Sequence, residues 1–228
     1  MSIFDKFKPK KEEPQSEEPN LDGWKAIENA FAVVYPDQDD RKHYGTLIPW
    51  HLGGNDPLDG ISVYDGGDCW HFVTFGLSEL YEKETDDAEY SGYGMEFTLR
   101  LKKGCYDAED EENEIRCIAG IFQKIAKITF NSGELFQANE YLYTGQKTGM
   151  DVNRRSKITG FIMIADTKVE GIDTPNGRVD FVEFIGVTDD ELVRLKNKEL
   201  TVNELYRKLG SDITDYIEKV FLVERSIV

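Results

Sequence analysis

The sequence is poor in cysteine, histidine and basic residues. Its 228 residues include three cysteines, three histidines, and 27 Lys and Arg against 44 Asp and Glu, for a formal net charge of −17. The cysteines Cys69, Cys105 and Cys117 are odd in number and widely spaced, which argues against a disulfide framework or a zinc ribbon. The deficit of cations argues against a nucleic-acid partner, because phosphate contacts need clustered Lys and Arg.

Long apolar stretches are also missing. No run approaches the 18 or more apolar residues of a membrane-spanning helix, and the N-terminus lacks the apolar core of a signal peptide. We therefore expect no integral membrane span and a reducing, cytoplasmic compartment. Hydrophobic residues nevertheless make up 39% of the chain and aromatic residues 12%, which is enough for a folded core.

The first 20 residues differ in composition from the rest. They hold three of the seven prolines, five acidic residues and four lysines. Such a polar segment buries too little apolar surface to offset the entropy of ordering it. We expect a flexible polar tail over residues 1–20 and one domain over residues 21–228. Ile3, Phe4 and Phe7 alternate with lysines, so a membrane-surface adaptor is one hypothesis.

Apolar spacing predicts the first elements of the domain. Trp24, Ile27, Phe31 and Val34 share one face of a helix that Pro36 ends. The runs 61–64 and 69–75 predict a hairpin around a Gly-containing turn. Large residues at both the odd and the even positions of 69–75 indicate a central strand covered on both faces. Alternation over 96–101 predicts a half-exposed strand.

The second half continues to alternate strands and helices. Residues 107–114 read as an acidic loop before a helix with apolar residues from 115 to 128. Apolar strands are predicted over 159–165 and 179–187. Thr188 with Glu191 and Thr201 with Glu204 fit helix capping boxes, Gly210 fits a helix end, and 213–223 fits a final strand. The pattern predicts an α+β fold, a mixed β-sheet with flanking helices.

Chemical motifs are sparse. The glycine-containing segments do not fit a phosphate-binding or dinucleotide-binding loop, and no hydrolase signature is present. Cys69 and His71 would project from the same face of a strand, which leaves open half of a metal site, a Cys/His dyad or an enzyme site that uses His71 with nearby carboxylates. We predict no cofactor, no metal and no enzymatic activity.

The order of several segments resembles the Suppressor of fused domain family. The segments that carry the resemblance are Asp56–Tyr64, Trp70–Tyr81 with the run FGLSELY, Ser91–Leu101 with SGYG, Thr159–Phe161, Thr174–Gly177, Val179–Leu192 and Ile213–Asp215. The resemblance covers about residues 24 to 226 and implies a Suppressor-of-fused-like domain.

What the resemblance implies is a protein-binding domain. Animal members clamp a short extended peptide between strands, which is a form of strand addition. Here the matching strands are Trp70–Phe75 and Phe161–Ala165, and the predicted partner-binding residues are Trp70, His71, Phe72, Glu79, Glu82, Phe161, Met163 and Asp166. Compact members resemble bacterial proteins that are proposed to neutralise toxins as immunity proteins. We expect a partner protein that is basic or presents an extended peptide, and either an immunity role or intracellular regulation.

Overall fold

The structure, a computed structural model, describes residues 20–104 and 107–216. Apart from Asn20, the tail predicted over residues 1–20, with its possible membrane contact, lies outside the described residues. The part of the predicted final strand beyond residue 216 also lies outside them.

The described residues form four α-helices, one short 3-10 helix and nine strands. The helices are α1 (Asp22–Val34), α2 (Ala108–Ser132), α3 (Asp189–Lys196) and α4 (Val202–Leu209), and the 3-10 helix is Trp50–Leu52. The strands are β1 (Lys42–Gly45), β2 (Gly60–Asp65), β3 (Cys69–Phe75), β4 (Tyr90–Lys102), β5 (Tyr141–Leu142), β6 (Ile158–Ala165), β7 (Ile172–Thr174), β8 (Gly177–Thr188) and β9 (Ile213–Thr214).

All nine strands belong to one mixed sheet. The main order is β1-β2-β3-β4-β8-β6-β5, with β7 paired to β8 and β9 paired to β4. The pairings β4–β8 and β4–β9 are parallel and the others are antiparallel. Because helices also cover this sheet, the predicted α+β class is confirmed.

Helices pack on both faces of the sheet and give three hydrophobic clusters. On one face, Ile118 and Phe122 of α2 pack over β2, β3, β4, β6 and β8. On the other face, Phe31 of α1 covers β2, β3 and β8, while Leu192 of α3 and Leu205 of α4 cover β6 and β8. Alternate residues along β8 point to opposite clusters, as the period of a strand requires.

The prediction of an acidic loop over 107–114 is wrong. Asp107 is the N-cap of α2, and its side chain accepts a hydrogen bond from the amide of Asp110. The acidic residues that follow therefore lie in the first turns of the helix, where the macrodipole favours negative charge. Both predicted capping boxes are present, at the starts of α3 and α4, and Gly210 caps the end of α4 with a positive φ.

The central position of β3 is confirmed, because six of its seven residues are buried and it lies between β2 and β4. The prediction that residues 96–101 form a half-exposed strand is wrong. Glu96, Thr98 and Arg100, the polar positions of that alternation, are all buried. Each of them has a buried hydrogen-bonding partner on another strand or on an adjoining loop.

Candidate protein-binding surface

The eight predicted partner-binding residues are spread across the sheet. Strands β4 and β8 separate β3 from β6, so the two strands of the predicted clamp are not neighbours. Five of the eight side chains are buried: His71, Phe72, Phe161, Met163 and Asp166. Trp70 and Glu79 are half-buried, and Glu82 is exposed. A partner would meet the first five only if the sheet opened, so their contact with a partner stays a prediction.

Of these residues, the fold brings His71 and Asp166 into direct contact. His71 Nε2 lies 2.9 Å from Asp166 Oδ2, and His71 Nδ1 lies 2.8 Å from the hydroxyl of Tyr35. The Thr98 hydroxyl donates to the same Asp166 oxygen over 2.6 Å, and the Val169 amide donates to the other. These contacts therefore connect the C-cap residue of α1, β3, β4 and the loop after β6.

The charge of Asp166 is stabilised by these donors. Burial alone would raise its pKa, but the interaction with His71 and the hydrogen bonds from Thr98 and Val169 lower the pKa to about 2. Both nitrogens of His71 are already engaged. Because the imidazole has no exposed surface, this geometry gives no access to a substrate.

Cys69 does not have the environment of a reactive thiol. Burial and the neighbouring Asp68 raise its pKa to about 11, whereas nucleophilic cysteines have lowered values. In the described part of the chain, no group of three or more His, Cys, Asp or Glu side chains is arranged to hold a metal ion. The hypothesis of a site at Cys69 and His71 therefore gains no support from the geometry.

A second buried polar group lies beside the first and was missed from the sequence. Arg100 makes a bidentate ion pair with Glu183, with N–O distances of 2.7 and 2.8 Å, and contacts Asp212 over 2.6 Å. The Thr167 hydroxyl accepts a hydrogen bond from Arg100 and donates one to Asp212. This group joins β4 to β8 and to the loop before β9. The available signal was an arginine in a strand otherwise rich in apolar residues.

The remaining predicted side chains have separate surroundings. Phe72, Phe161 and Met163 share the cluster under α2, where the Phe161 and Phe184 rings lie 5.6 Å apart. The Lys103 ammonium lies 3.8 Å from the centre of the Trp70 ring. The Trp70 ring is therefore already in a cation–π contact with Lys103.

Glu79 organises the loop that follows β3. Its carboxylate accepts hydrogen bonds from the amides of Glu84, Thr85 and Gly92 at 2.6 to 3.0 Å and pairs with Lys83. Burial would raise its pKa, but these donors lower it below the usual value. Glu79 therefore shapes the surface loop, while the carboxylate of its neighbour Glu82 faces solvent.

An open cavity of about 500 Å³ lies beside this loop, and we call it the loop cavity. Its lining includes much of the FGLSELY run, together with part of SGYG, the 3-10 helix and the end of α2. In the sequence, these runs were noted only because they carry the family resemblance, and no cavity was predicted there. Nor did the sequence indicate that Trp50 and Phe130 would complete the same wall.

Comparison with known proteins decides the family. A family model described as Suppressor of fused protein matches residues 54–218. The chain belongs to the Suppressor of fused family. The Suppressor of fused homologues of Homo sapiens and Mus musculus are each 30% identical to it over 183 residues. These matches cover 75% of this chain but only 36% of each homologue, so the chain spans little more than a third of the length of these curated relatives.

Solved structures of the family share the fold. A chain of the Sufu-Fu complex crystal structure is 28% identical, with a TM-score of 0.74 over 90% of this chain and 95% of that one. The crystal structure of Drosophila Suppressor of Fused is also 28% identical at a TM-score of 0.74, over 92% of this chain and 54% of that one. Both the family and the fold predicted from the sequence are thereby confirmed. Among the helices described, none has the length and apolar character needed to span a bilayer.

Proposed function

We propose that this chain is a non-enzymatic protein-binding domain of the Suppressor of fused family. The observation that carries the proposal is the likeness to the Sufu-Fu complex structure, in which 95% of the matched chain is covered by this one. A chain of similar length and fold is thus part of a solved Sufu-Fu complex. The buried positions of His71 and Cys69 support the non-enzymatic part of the proposal.

The charge of the chain defines the kind of partner that we propose. At a net charge of −17, the surface attracts basic polypeptides, speeds their association and repels nucleic acid. We propose a partner that is basic or presents an extended peptide. Its contacts would begin at Trp70 and Glu82, whose side chains are accessible without rearrangement, whereas the Glu79 carboxylate would first have to leave its amide donors and Lys83.

Two cellular roles fit such a domain, and we propose that it acts in the cytoplasm in one of them. As an immunity protein, it would neutralise a basic toxin by binding it rapidly. As an intracellular regulator, it would sequester a basic segment of another protein. Fast, charge-steered association serves both roles, and it weakens as salt screens the field.

Affinity capture from the native cytoplasm, followed by reconstitution with the purified partner, tests the proposal. We expect a complex of fixed stoichiometry in size-exclusion chromatography with light scattering, weakened at high salt. The double variant Trp70→Ala/Glu82→Gln should bind the partner less tightly. Failure to form a stoichiometric complex at physiological ionic strength would contradict the proposal.

A control variant separates specific contacts from general charge. Glu199→Gln alters one exposed acid between α3 and α4, on the β6 side of the sheet, and removes one negative charge, as Glu82→Gln does. If this control weakens the complex as much as changes at Trp70 and Glu82 do, the proposed contact residues are wrong.

A further inference from the structure

We propose that the loop cavity binds an arginine side chain of a partner polypeptide. The proposal rests on the protein-binding function above and specifies what part of the partner is recognised. The cavity lies between the 3-10 helix, the loop 76–85, residues Gly92 and Tyr93, and the end of α2. Its volume of about 500 Å³ is within the range of sites that hold organic ligands, so it can take a guanidinium group and part of its flanking chain.

Aromatic side chains form one wall of the loop cavity. Phe130 lies at the centre, with its ring 5.7 Å from that of Trp50 and 5.3 Å from that of Tyr93, both in edge-on arrangements. Each of the three side chains is half-buried, so part of each ring remains accessible. Ring faces attract cations, and a planar guanidinium also stacks on them.

The charged residues that line the cavity are all acidic: Asp59, Glu79, Glu82 and Glu84. Two of them have structural partners, because Glu79 binds amides and Lys83, and Asp59 accepts a hydrogen bond from Tyr81. The carboxylates of Glu82 and Glu84 are exposed, and within residues 20–104 and 107–216 they make no hydrogen bond or ion pair. These two acids remain available to an incoming cation.

The floor of the cavity is held by buried contacts. Glu96 Oε1 accepts hydrogen bonds from the consecutive amides of Gly76, Leu77 and Ser78 at 2.9 to 3.1 Å. The Tyr93 amide donates to the Leu77 carbonyl over 2.8 Å. Because these contacts already order the floor of the cavity, ligand binding costs little further conformational entropy there, which favours affinity.

Arginine fits this combination better than lysine does. Its guanidinium offers a flat face to the rings and a fork of donors to carboxylates, whereas an ammonium offers a compact and strongly hydrated charge. The field of the whole protein also steers cations towards it.

Peptide titration followed by NMR tests the proposal. The probes are capped pentapeptides Gly-Ser-X-Ser-Gly in which X is arginine, lysine or citrulline, the uncharged analogue of arginine. We expect the arginine peptide to shift the Trp50 indole and Gly92 amide signals in a saturable way. The lysine peptide should bind more weakly, and the citrulline peptide should cause no saturable shift.

Matched variants locate the interaction. Glu82→Gln/Glu84→Gln changes two exposed side chains and should raise the Kd of the arginine peptide about tenfold, since two charge-assisted contacts are lost. Asp39→Asn/Asp40→Asn removes the same charge elsewhere and should leave the Kd within about twofold, as expected for screened charges at a distance. Equal binding of the citrulline peptide, absence of shifts at the cavity, or an unchanged Kd in the Glu82/Glu84 variant would overturn the proposal.

Its failure can be told apart from that of the proposed function. If the arginine peptide causes no shift at the cavity but the protein partner still forms a stoichiometric complex, the cavity proposal is wrong and the protein-binding function stands. If the peptide binds at the cavity but no partner complex forms, the binding chemistry is right and the proposed function is wrong.

Discussion

Replacing Glu96 with alanine removes the acceptor of three consecutive backbone amides, those of Gly76, Leu77 and Ser78. The contacts of Leu77 and Ser78 are fully buried, and a buried donor left without an acceptor costs about 1–3 kcal/mol. We therefore expect Glu96→Ala to lower the free energy of unfolding by about 4 kcal/mol. Urea titration at neutral pH, followed by far-ultraviolet circular dichroism and analysed by linear extrapolation, measures this loss.

Glu96→Gln is the matched control for this prediction. Glutamine keeps a carbonyl oxygen where the three amides converge, and its NH₂ can donate to the Thr74 hydroxyl oxygen, which now lies 2.6 Å from the second carboxylate oxygen. We expect this variant to lose less than about 2 kcal/mol, because the buried amides stay paired. A Glu96→Ala variant within about 1 kcal/mol of the wild type, or a glutamine variant as unstable as the alanine one, would refute the reasoning.

The same pair of proteins gives a pH signature. Burial raises the pKa of Glu96 from 4.5 to about 7, against the lowering effect of hydrogen bonds from Thr74, Ser78 and Gly76. The folded state holds the Glu96 proton more tightly than the unfolded chain does. Protonation of Glu96 therefore stabilises the fold fully below pH 4.5, and this stabilisation is lost as the pH rises to about 7. Relative to Glu96→Gln, the wild type should lose about 3 kcal/mol over that interval. A difference between the two that does not change with pH would contradict the assigned proton.

Three further changes test other parts of the fold, each by urea titration. Arg100→Met leaves the buried Glu183 carboxylate without its cation and should cost about 3–5 kcal/mol, most of which Arg100→Met/Glu183→Met should recover; equal loss in both variants would contradict the assigned pairing. Thr201→Ala removes the N-cap of α4 and should cost about 1 kcal/mol; a loss near zero would show that the box contributes nothing. Gly92→Ala, at a φ of +56° and with a new Cβ 2.8 Å from the Leu77 carbonyl oxygen, should cost at least about 2 kcal/mol; wild-type stability would contradict this strain.

Local patterns were sufficient for most of the elements. The apolar spacing of Trp24 to Val34 predicted α1, and the turn between 65 and 68 predicted the β2–β3 hairpin. The capping boxes at Thr188 and Thr201 were both found where their spacing placed them. In each case, the residues that decide the structure are close neighbours in the sequence, so periodicity and turn chemistry contain the needed information.

The buried polar positions could not be predicted in this way. Along β4, alternating polar residues indicate a face towards solvent, but Thr98 and Arg100 bond to Asp166 and Glu183, which lie far along the chain. Periodicity predicts which face of the strand a polar residue lies on, but only the tertiary fold shows whether a hydrogen-bonding partner is present there. The loop cavity has the same origin, since Trp50 and Phe130 reach it from distant elements. The family resemblance located its loop without revealing its chemistry.

The parallel pairing of β4 with β8 has a consequence for the growing chain on the ribosome. β4 ends at Lys102 and β8 begins only at Gly177, so the meander of β1 to β4 and the helix α2 emerge well before β8 and β9, the strands that pair with β4 in parallel. During that interval, one edge of β4 exposes unpaired backbone N–H and C=O groups, and an uncovered edge of this kind recruits other strands and aggregates. We therefore expect synthesis of this protein to depend on protecting one strand edge, by a chaperone or by rapid elongation, until residue 214 has left the exit tunnel.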